Sequence, residues 1–312
     1  MMIEKWRHLP EEIMTEILTW LPVKSILRFR SDHELLCIWN PISEEYKKLP
    51  QIPKLFPQVP ELEPSNSVPA FGFGCDCKTG VYKVVQIQTA GCDMFSQARV
   101  YTLGTDSWRV LDDIPYIFCL YGRANGVLLN GVLHWLVYPD YKDINKLTRV
   151  ILSFDVGGEK FGEIQLPKPL WGVPEGGEDY YKTRISLLDD KLCLSWNLGD
   201  GDVDVWVMND YGVIESWTKL FSVSRLKEGV EYLWPVQSLK NGEILLFGLP
   251  LIPLTQYDGD LILYSPISQR ARFVDTSGYQ ILEAVQTYVG SLVSVKSICN
   301  AGQEDVEQAI SQ

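Results

Sequence analysis

The sequence predicts a mainly β fold: a β-propeller-like body of about five or six blades behind a short all-α head. Three observations carry that prediction. Aromatic residues make up 12% of the 312 residues, including 10 Trp and 15 Tyr, and such side chains suit pleated, half-buried strands. A hairpin motif and an aromatic-strand motif recur through most of the chain. Helical periodicity is confined to the N-terminal stretch, residues 6–30.

In chain order, the head comes first. Leu9-Pro10-Glu11-Glu12 reads as a helix start, with Pro in the first turn and acids where the helix dipole favours them. Ile13, Ile17 and Leu21 recur at helical spacing, and Met14 and Leu18 widen the stripe. Pro22 ends that helix and starts a second, "PVKSILRF", with Val23, Ile26, Leu27 and Phe29 along one face. Helices this short do not hold together alone. They dock either on the chain's own body or on a partner, and periodicity leaves both open.

From residue 35 the chain alternates two kinds of segment. One is a hairpin: "LLNGVLHWLV", "LLDDKLCLSW" and "LKNGEILLFG". Asn130-Gly131 and Asn241-Gly242 predict type I′ turns, and Asp189-Asp190 stands in the same place in the middle copy. The other is an aromatic strand, a polar turn and a second short strand, as in "ARVYTLGTDSWRVLDD" and "LILYSPISQRARFVD". Tyr101, Phe154, Trp206 and Tyr264 mark its successive copies at a spacing of about 50 to 60 residues, the length of a four-stranded blade. A β-sandwich is the structural alternative. The long, steady period and matched turns favour the propeller, whose radial closure also protects strand edges.

Charge and cysteine usage narrow the function. The net charge is −12 and the pI about 4.8, which repels phosphate backbones and argues against nucleic acid. The 7 Cys are scattered and odd in number, as expected of reduced thiols in a cytoplasmic or nuclear protein. No apolar run is long enough to span a membrane, and the N-terminus lacks the apolar core of a signal peptide. Residues 298–312 read as a polar tail.

Candidate chemistry is sparse. Cys75 and Cys77, with Cys92 beyond, lack the paired spacing and fourth ligand of a zinc site. Asp200, Asp202 and Asp204 imitate a calcium loop, but Tyr211 stands where its bidentate Glu belongs, so a polar hairpin turn is expected. His134 alternates with Leu133 and Trp135 on a strand and reads as a half-buried, hydrogen-bonded His. "FGFG" at Phe71 to Gly74 reads as a strand edge or turn, and no nucleophile–base–orienter set is evident. No catalytic residue, metal or cofactor is expected. A carbohydrate-active propeller is the minor enzymatic alternative, because two carboxylates at catalytic separation are invisible to sequence. The segment "KPLWGVPEGGEDYYKTR" carries Trp171, Tyr180 and Tyr181 on a Pro/Gly/acid-rich loop. Aromatics on such a loop either recognise a protein or tuck back onto a blade. Tyr116, Phe118 and Tyr121 read as strand and core.

The order of residues in the head adds a resemblance. "LPEEIMTEILTWLPVKSILRFR" closely resembles the first half of an F-box, as found in the plant F-box proteins with an F-box-associated β domain. Leu9-Pro10, Ile13, Glu16-Ile17-Leu18, Leu21-Pro22, Lys24-Ser25 and Leu27-Arg28-Phe29 carry it. "FGFGCDCKTGVYKVVQI", "VYTLGTDSWRVL", "GRANGVLLNGVLHWL" and "VWVMNDYGVIESWTKLF" resemble landmarks of that β domain. The chain departs from the family at Arg30, where "SDHELLCIWNP" follows at once. The second half of the F-box, with its third helix, is missing.

The resemblance implies a partial F-box over 6–30, an F-box-associated propeller-like domain over 35–297 and a tail over 298–312. It further implies a substrate-recognition subunit of a Skp–cullin–F-box ubiquitin ligase. Leu9, Pro10, Ile13, Ile17, Leu18, Leu21, Pro22 and Leu27 would face a Skp-type adaptor. The β domain would hold an unknown protein substrate, with Trp171, Tyr180 and Tyr181 as candidate contacts. The alternative is a stand-alone protein-interaction module whose incomplete F-box does not dock. A third reading makes the junction at Arg30–Ser31 the scar of an omitted exon.

Overall fold

The computed structural model describes residues 26–29, 36–40, 45–53, 69–89, 96–118, 125–139, 149–170, 183–198, 202–224, 226, 230, 232–249 and 259–274. These residues form antiparallel sheets joined by turns, with two short 3-10 turns, Lys168–Leu170 and Ile214–Ser216. The first sheet has three strands: β1 (Ile26–Phe29), β2 (Leu36–Trp39) and β3 (Tyr46–Lys48). Four four-stranded sheets follow. They are β4 (Ala70–Cys75), β5 (Tyr82–Thr89), β6 (Ser96–Thr102) and β7 (Trp108–Ile114); then β8 (Val127–Leu129), β9 (Val132–Val137), β10 (Val150–Asp155) and β11 (Lys160–Ile164). Next come β12 (Thr183–Leu188), β13 (Lys191–Asn197), β14 (Val203–Met208) and β15 (Trp217–Val223), and finally β16 (Tyr232–Ser238), β17 (Ile244–Leu249), β18 (Asp260–Ser265) and β19 (Arg270–Phe273). In each sheet consecutive strands pair as a meander, the unit from which propeller blades are made.

One expectation is corrected at the start of the described chain. Ile26–Phe29 is a strand, not the end of a second helix. Ile26 pairs with Trp39 and Phe29 with Leu36, so the free edge of β2 finds its backbone partners. An eight-residue helix between Pro22 and Arg30 gains too few hydrogen bonds to compete with that ladder. The first helix and the tail lie outside the described residues.

The turns carry a repeat that residue types conceal. Across the turn from third to fourth strand, Tyr101 pairs with Trp108, Phe154 with Phe161 and Tyr264 with Ala271. Trp39 pairs with Tyr46 over the same length of turn in the three-stranded sheet. In these three four-stranded cases the backbone takes the left-handed conformation two residues before the returning strand's partner: Asp106, Glu159 and Gln269 have φ of 51°, 52° and 53°. Among the hairpins, Asn130-Gly131 and Asp189-Asp190 have both residues at positive φ, as type I′ requires. Asn241-Gly242 differs, because only Gly242 does. Leu239 N–H donates to the Glu243 carbonyl and Gly242 N–H to the Leu239 carbonyl, which makes a three-residue loop closed by a left-handed Gly.

The strands divide into two compact units, β1–β11 and β12–β19, with residues 167–169 belonging to the second. In the first unit, Val85, Ile87, Ala98 and Val100 of one sheet pack with Leu133, Trp135, Leu152 and Phe154 of the next. Trp135 is the anchor. It is 1% exposed, its ring meets Phe118 edge-on, and its indole N–H donates to the Phe71 carbonyl at 3.2 Å. A Cβ on Gly72 or Gly126 would come within 2.7 Å of that ring. The "FGFG" motif is therefore strand β4 thinned to admit an indole. In the second unit, Val203, Val205 and Phe221 pack with Leu233, Leu246, Ile262 and Tyr264. Trp234, Leu245, Phe247 and Leu263 fill the other face of the last sheet.

Candidate partner-binding surface

The binding residues expected from sequence are not brought together by the described residues. Leu9, Pro10, Ile13, Ile17, Leu18, Leu21 and Pro22 lie outside them, as do Trp171, Tyr180 and Tyr181. Leu27 lies in β1, where its backbone pairs with Ile38.

A different surface emerges where the second unit breaks the blade repeat. Trp206, the third aromatic in the sequence series, does not share the place of Tyr101, Phe154 and Tyr264. Those three are buried, whereas Trp206 is partly exposed. The register shifts between Val205–Phe221 and Trp206–Lys219, so Leu220 bulges out. The following turn is also longer. Met208 pairs with Trp217, two residues further apart than Tyr101 and Trp108, and the extra chain winds into the 3-10 turn Ile214–Ser216. Asn209 Nδ2 holds that turn by donating to the Ser216 carbonyl and Thr218 Oγ1.

The longer turn leaves a groove of about 180 Å³ lined by Pro167, Pro169, Trp206, Ile214 and Trp217, with Lys168 and Glu215 at its rim. Lys168 and Glu215 approach to 3.8 Å with both side chains mostly exposed, a pair that contributes little to stability. Val213, 45% exposed, and Leu220, 48% exposed, extend the apolar surface along the same turn and strand. The Trp206 indole N–H is buried without an acceptor among the described residues. Sequence offered one signal for this groove: the extra turn length in "VMNDYGVIESW".

A second unusual group lies between the two sheets of the same unit. Arg184, on β12, carries its guanidinium carbon 4.0 Å from the centre of the Trp234 ring on β16. Burial alone pulls its pKa down to about 10, so it remains a cation at neutral pH. Nearby, Asn197 Oδ1 accepts the Leu233 N–H at 3.0 Å, and Ser238 Oγ donates to Asp189 Oδ2 at 2.9 Å. These bonds fix β16 against the preceding sheet.

The first unit pairs most of its buried polar groups internally, with the Arg99 Nε–H left without an acceptor among the described residues. Lys83 Nζ donates to the Val156 carbonyl at 2.8 Å and pairs with Glu159 at 2.9 Å; Glu159 also pairs with Arg109. Arg99, 1% exposed, donates from Nη1 to Gln86 and from Nη2 to Gln97. His134 is fully buried rather than half-buried, because β9 is covered on both faces. Its Nδ1 lies 3.1 Å from the Val127 carbonyl, and desolvation lowers its pKa to about 4. The ring is neutral at physiological pH and Nδ1–H is the donor.

The other candidates resolve into structure. Cys75 and Cys77 are free thiols on a turn that Asp76 organises by accepting from Lys78 N–H and Thr79 Oγ1. Burial pushes the Cys193 thiol up to about 12, which leaves it unreactive. Asp204 accepts from Ser222 Oγ at 2.6 Å and pairs with Lys219 at 3.2 Å, bracing the bulge. Asp200 lies outside the described residues; Leu198 N–H donating to the Asp202 carbonyl closes the hairpin that was expected there. Phe118 is core, and Tyr116 packs beside it with its hydroxyl donating to Glu163. Among the described residues no group of three His, Cys, Asp or Glu is placed to hold a metal, and no helix is long and apolar enough to cross a membrane.

Comparison with known proteins places this architecture. The family described as "F-box associated beta propeller domain" matches residues 7–295. The chain belongs to that family. Its match takes in the N-terminal stretch as well as every described strand. Among curated relatives from Arabidopsis thaliana, F-box protein CPR1 is 28% identical over 72% of this chain and 56% of its own length. F-box/kelch-repeat protein At3g23880 is 24% identical over 83% of this chain and 64% of its own, and F-box protein At3g07870 is 30% identical over 68% and 53%. The chain thus spans between about half and two thirds of the length of these three relatives. Among solved structures, the β-propeller domain of the Trilobed protease from Pyrococcus furiosus aligns at 14% identity over 82% of this chain and 72% of that one, with a TM-score of 0.39. A superposition that loose carries no argument about function.

Proposed function

We propose that this chain is a substrate-recognition subunit of a Skp–cullin–F-box ubiquitin ligase, itself without catalytic activity. The observation that carries the reading is the family match over residues 7–295, joined by relatives that are named F-box proteins. The N-terminal part of the partial F-box over 6–30 docks on a Skp-type adaptor through Leu9, Pro10, Ile13, Ile17, Leu18, Leu21 and Pro22, while Leu27, expected there too, is committed to β1. The β domain over 35–297 holds a protein substrate. Bond-making belongs to the other subunits, and this chain supplies proximity and orientation. The groove at Trp206 and Trp217 supports protein recognition, since it joins aromatic anchors to a charged rim. A cytoplasmic or nuclear location goes with the reading, and a fluorescent fusion tests it.

The docking step is tested by pull-down of the intact chain with a Skp-type adaptor. Retention is expected, with a loss of at least about tenfold for Ile17→Asp, which puts a charge into an apolar contact. Failure of the intact chain to bind, with binding restored by grafting a complete F-box, overturns the ligase reading. A stand-alone interaction module is then left. That second reading draws support from β1: residues Ile26–Phe29 are committed to a sheet and are withheld from a helical docking head.

A further inference from the structure

Arg184 is a cation without an oxygen. The two buried arginines, Arg99 and Arg149, each have one, and so do the more exposed Arg109 and Arg272. Arg99 donates to two glutamine side chains, Arg149 to the Tyr138 hydroxyl, Arg109 to Glu159 and Arg272 to Glu243. The Arg184 guanidinium makes no hydrogen bond or ion pair among the described residues; its contact is the Trp234 ring at 4.0 Å. A ring under the guanidinium carbon occupies one face of the cation and offers none of the oxygen that its five N–H donors require.

The site is built rather than incidental. Arg184 pairs with Ser195 across β12 and β13, and Ser195 Oγ donates to the Arg184 carbonyl, which fixes the backbone from which the side chain springs. Trp234 is 5% exposed and is itself held edge-on by Phe247, with ring centres 5.0 Å apart. Neither residue is free to swing to bulk solvent without abandoning packed surface. The Arg184 nitrogens are not sealed from solvent, so an incoming oxyanion can reach the fork and pair with it in place of water. The chain has 40 acidic residues, yet none of the described ones neutralises this arginine.

We propose that Arg184, braced by Trp234, is a subsite for the carboxylate of an Asp or Glu side chain on a protein partner. Arginine's planar fork takes a carboxylate through two parallel bonds, which fixes orientation as well as charge. The overall negative charge does not prevent this, because charges beyond about 8 Å are screened at physiological ionic strength. The inference deepens the substrate-capture reading and rests on it for the nature of the ligand. Its test does not involve the adaptor, so adaptor docking and this subsite fail separately.

The experiment measures binding of the intact chain to two fluorescent hexapeptide pools, randomised except for a central Glu in one and a central Gln in the other. The Glu pool is expected to bind about tenfold more tightly, the increment of one hydrogen-bonded charge pair. Arg184→Gln removes that preference. Arg184→Lys keeps the charge, loses the fork and retains part of it, which separates lost recognition from lost folding. Equal binding of the two pools, no binding of either, or an unchanged Glu preference in Arg184→Gln overturns the proposal.

Discussion

The two compact units solve the same problem differently. In β1–β11 most of the strongly polar side chains that enter the interior are met by the fold itself, although the Arg99 Nε–H is buried without an acceptor among the described residues. The Trp135 N–H reaches the Phe71 carbonyl, the Arg99 fork reaches two glutamines and Lys83 reaches Glu159. In β12–β19 the corresponding groups are left open: the Trp206 N–H has no acceptor and the Arg184 fork has no oxygen. The first unit also keeps the regular turn after its third strands, while the second lengthens one and gains a groove. The contrast separates a unit whose polar side chains are largely paired within the fold from one that opens a groove and leaves an arginine fork without an acceptor among the described residues.

The largest test of that division is tryptophan removal. Trp135→Ala is expected to cost about 3–5 kcal/mol in urea unfolding, because it empties a site walled by Gly72 and Gly126 that no neighbour can refill. The same change at Trp206, partly exposed and without a partner for its N–H, is expected to cost about 1–2 kcal/mol. Equal losses would break the comparison.

Acid provides the next largest effect. The folded pKa of His134 is depressed to about 4, below the unfolded value of about 6.5. The unfolded chain therefore binds the proton first. The neutral, buried ring's contribution is complete above pH 6.5 and is lost as pH falls toward 4, by up to about 1.4 kcal/mol per unit. Hydrogen exchange is expected to quicken in β8–β11 over that window, and His134→Gln to flatten the response. The described part of β12–β19 holds no His, so its exchange should not follow this titration.

The smallest effects come from the two arginines. Arg99→Met is expected to destabilise by about 1–3 kcal/mol, since it strands the acceptors of Gln86 and Gln97. Arg184→Met strands no acceptor and removes a desolvated charge, so thermal unfolding is expected to move by less than about 0.5 kcal/mol or to improve. A large loss at Arg184 would mean that its role is structural.

Much of the first unit was legible in the sequence. Asn130-Gly131 predicts its turn because few residues tolerate two positive φ angles in succession. Tyr101 and Phe154 announce their strands because each buries an aromatic beside the turn from third to fourth strand. Legibility fell where a local rule has two solutions. Asn241-Gly242 fits both a two-residue turn and a three-residue loop, and the pairing of β16 with β17 selects the latter. "ILRF" fits a helix as readily as a strand, and the free edge of β2 decides. The groove was the least legible, because Pro167 and Trp217 meet only after the chain has folded.

The sequence by itself determined the mainly β class, the blade period and the family resemblance, because period, turn chemistry and aromatic content are local properties of the chain. Tertiary structure alone decided which polar groups remain unspent. Whether Arg184 finds an oxygen or a ring depends on what the neighbouring sheet presents to it. That is a matter of packing across β12 and β16, two strands that no spacing rule connects.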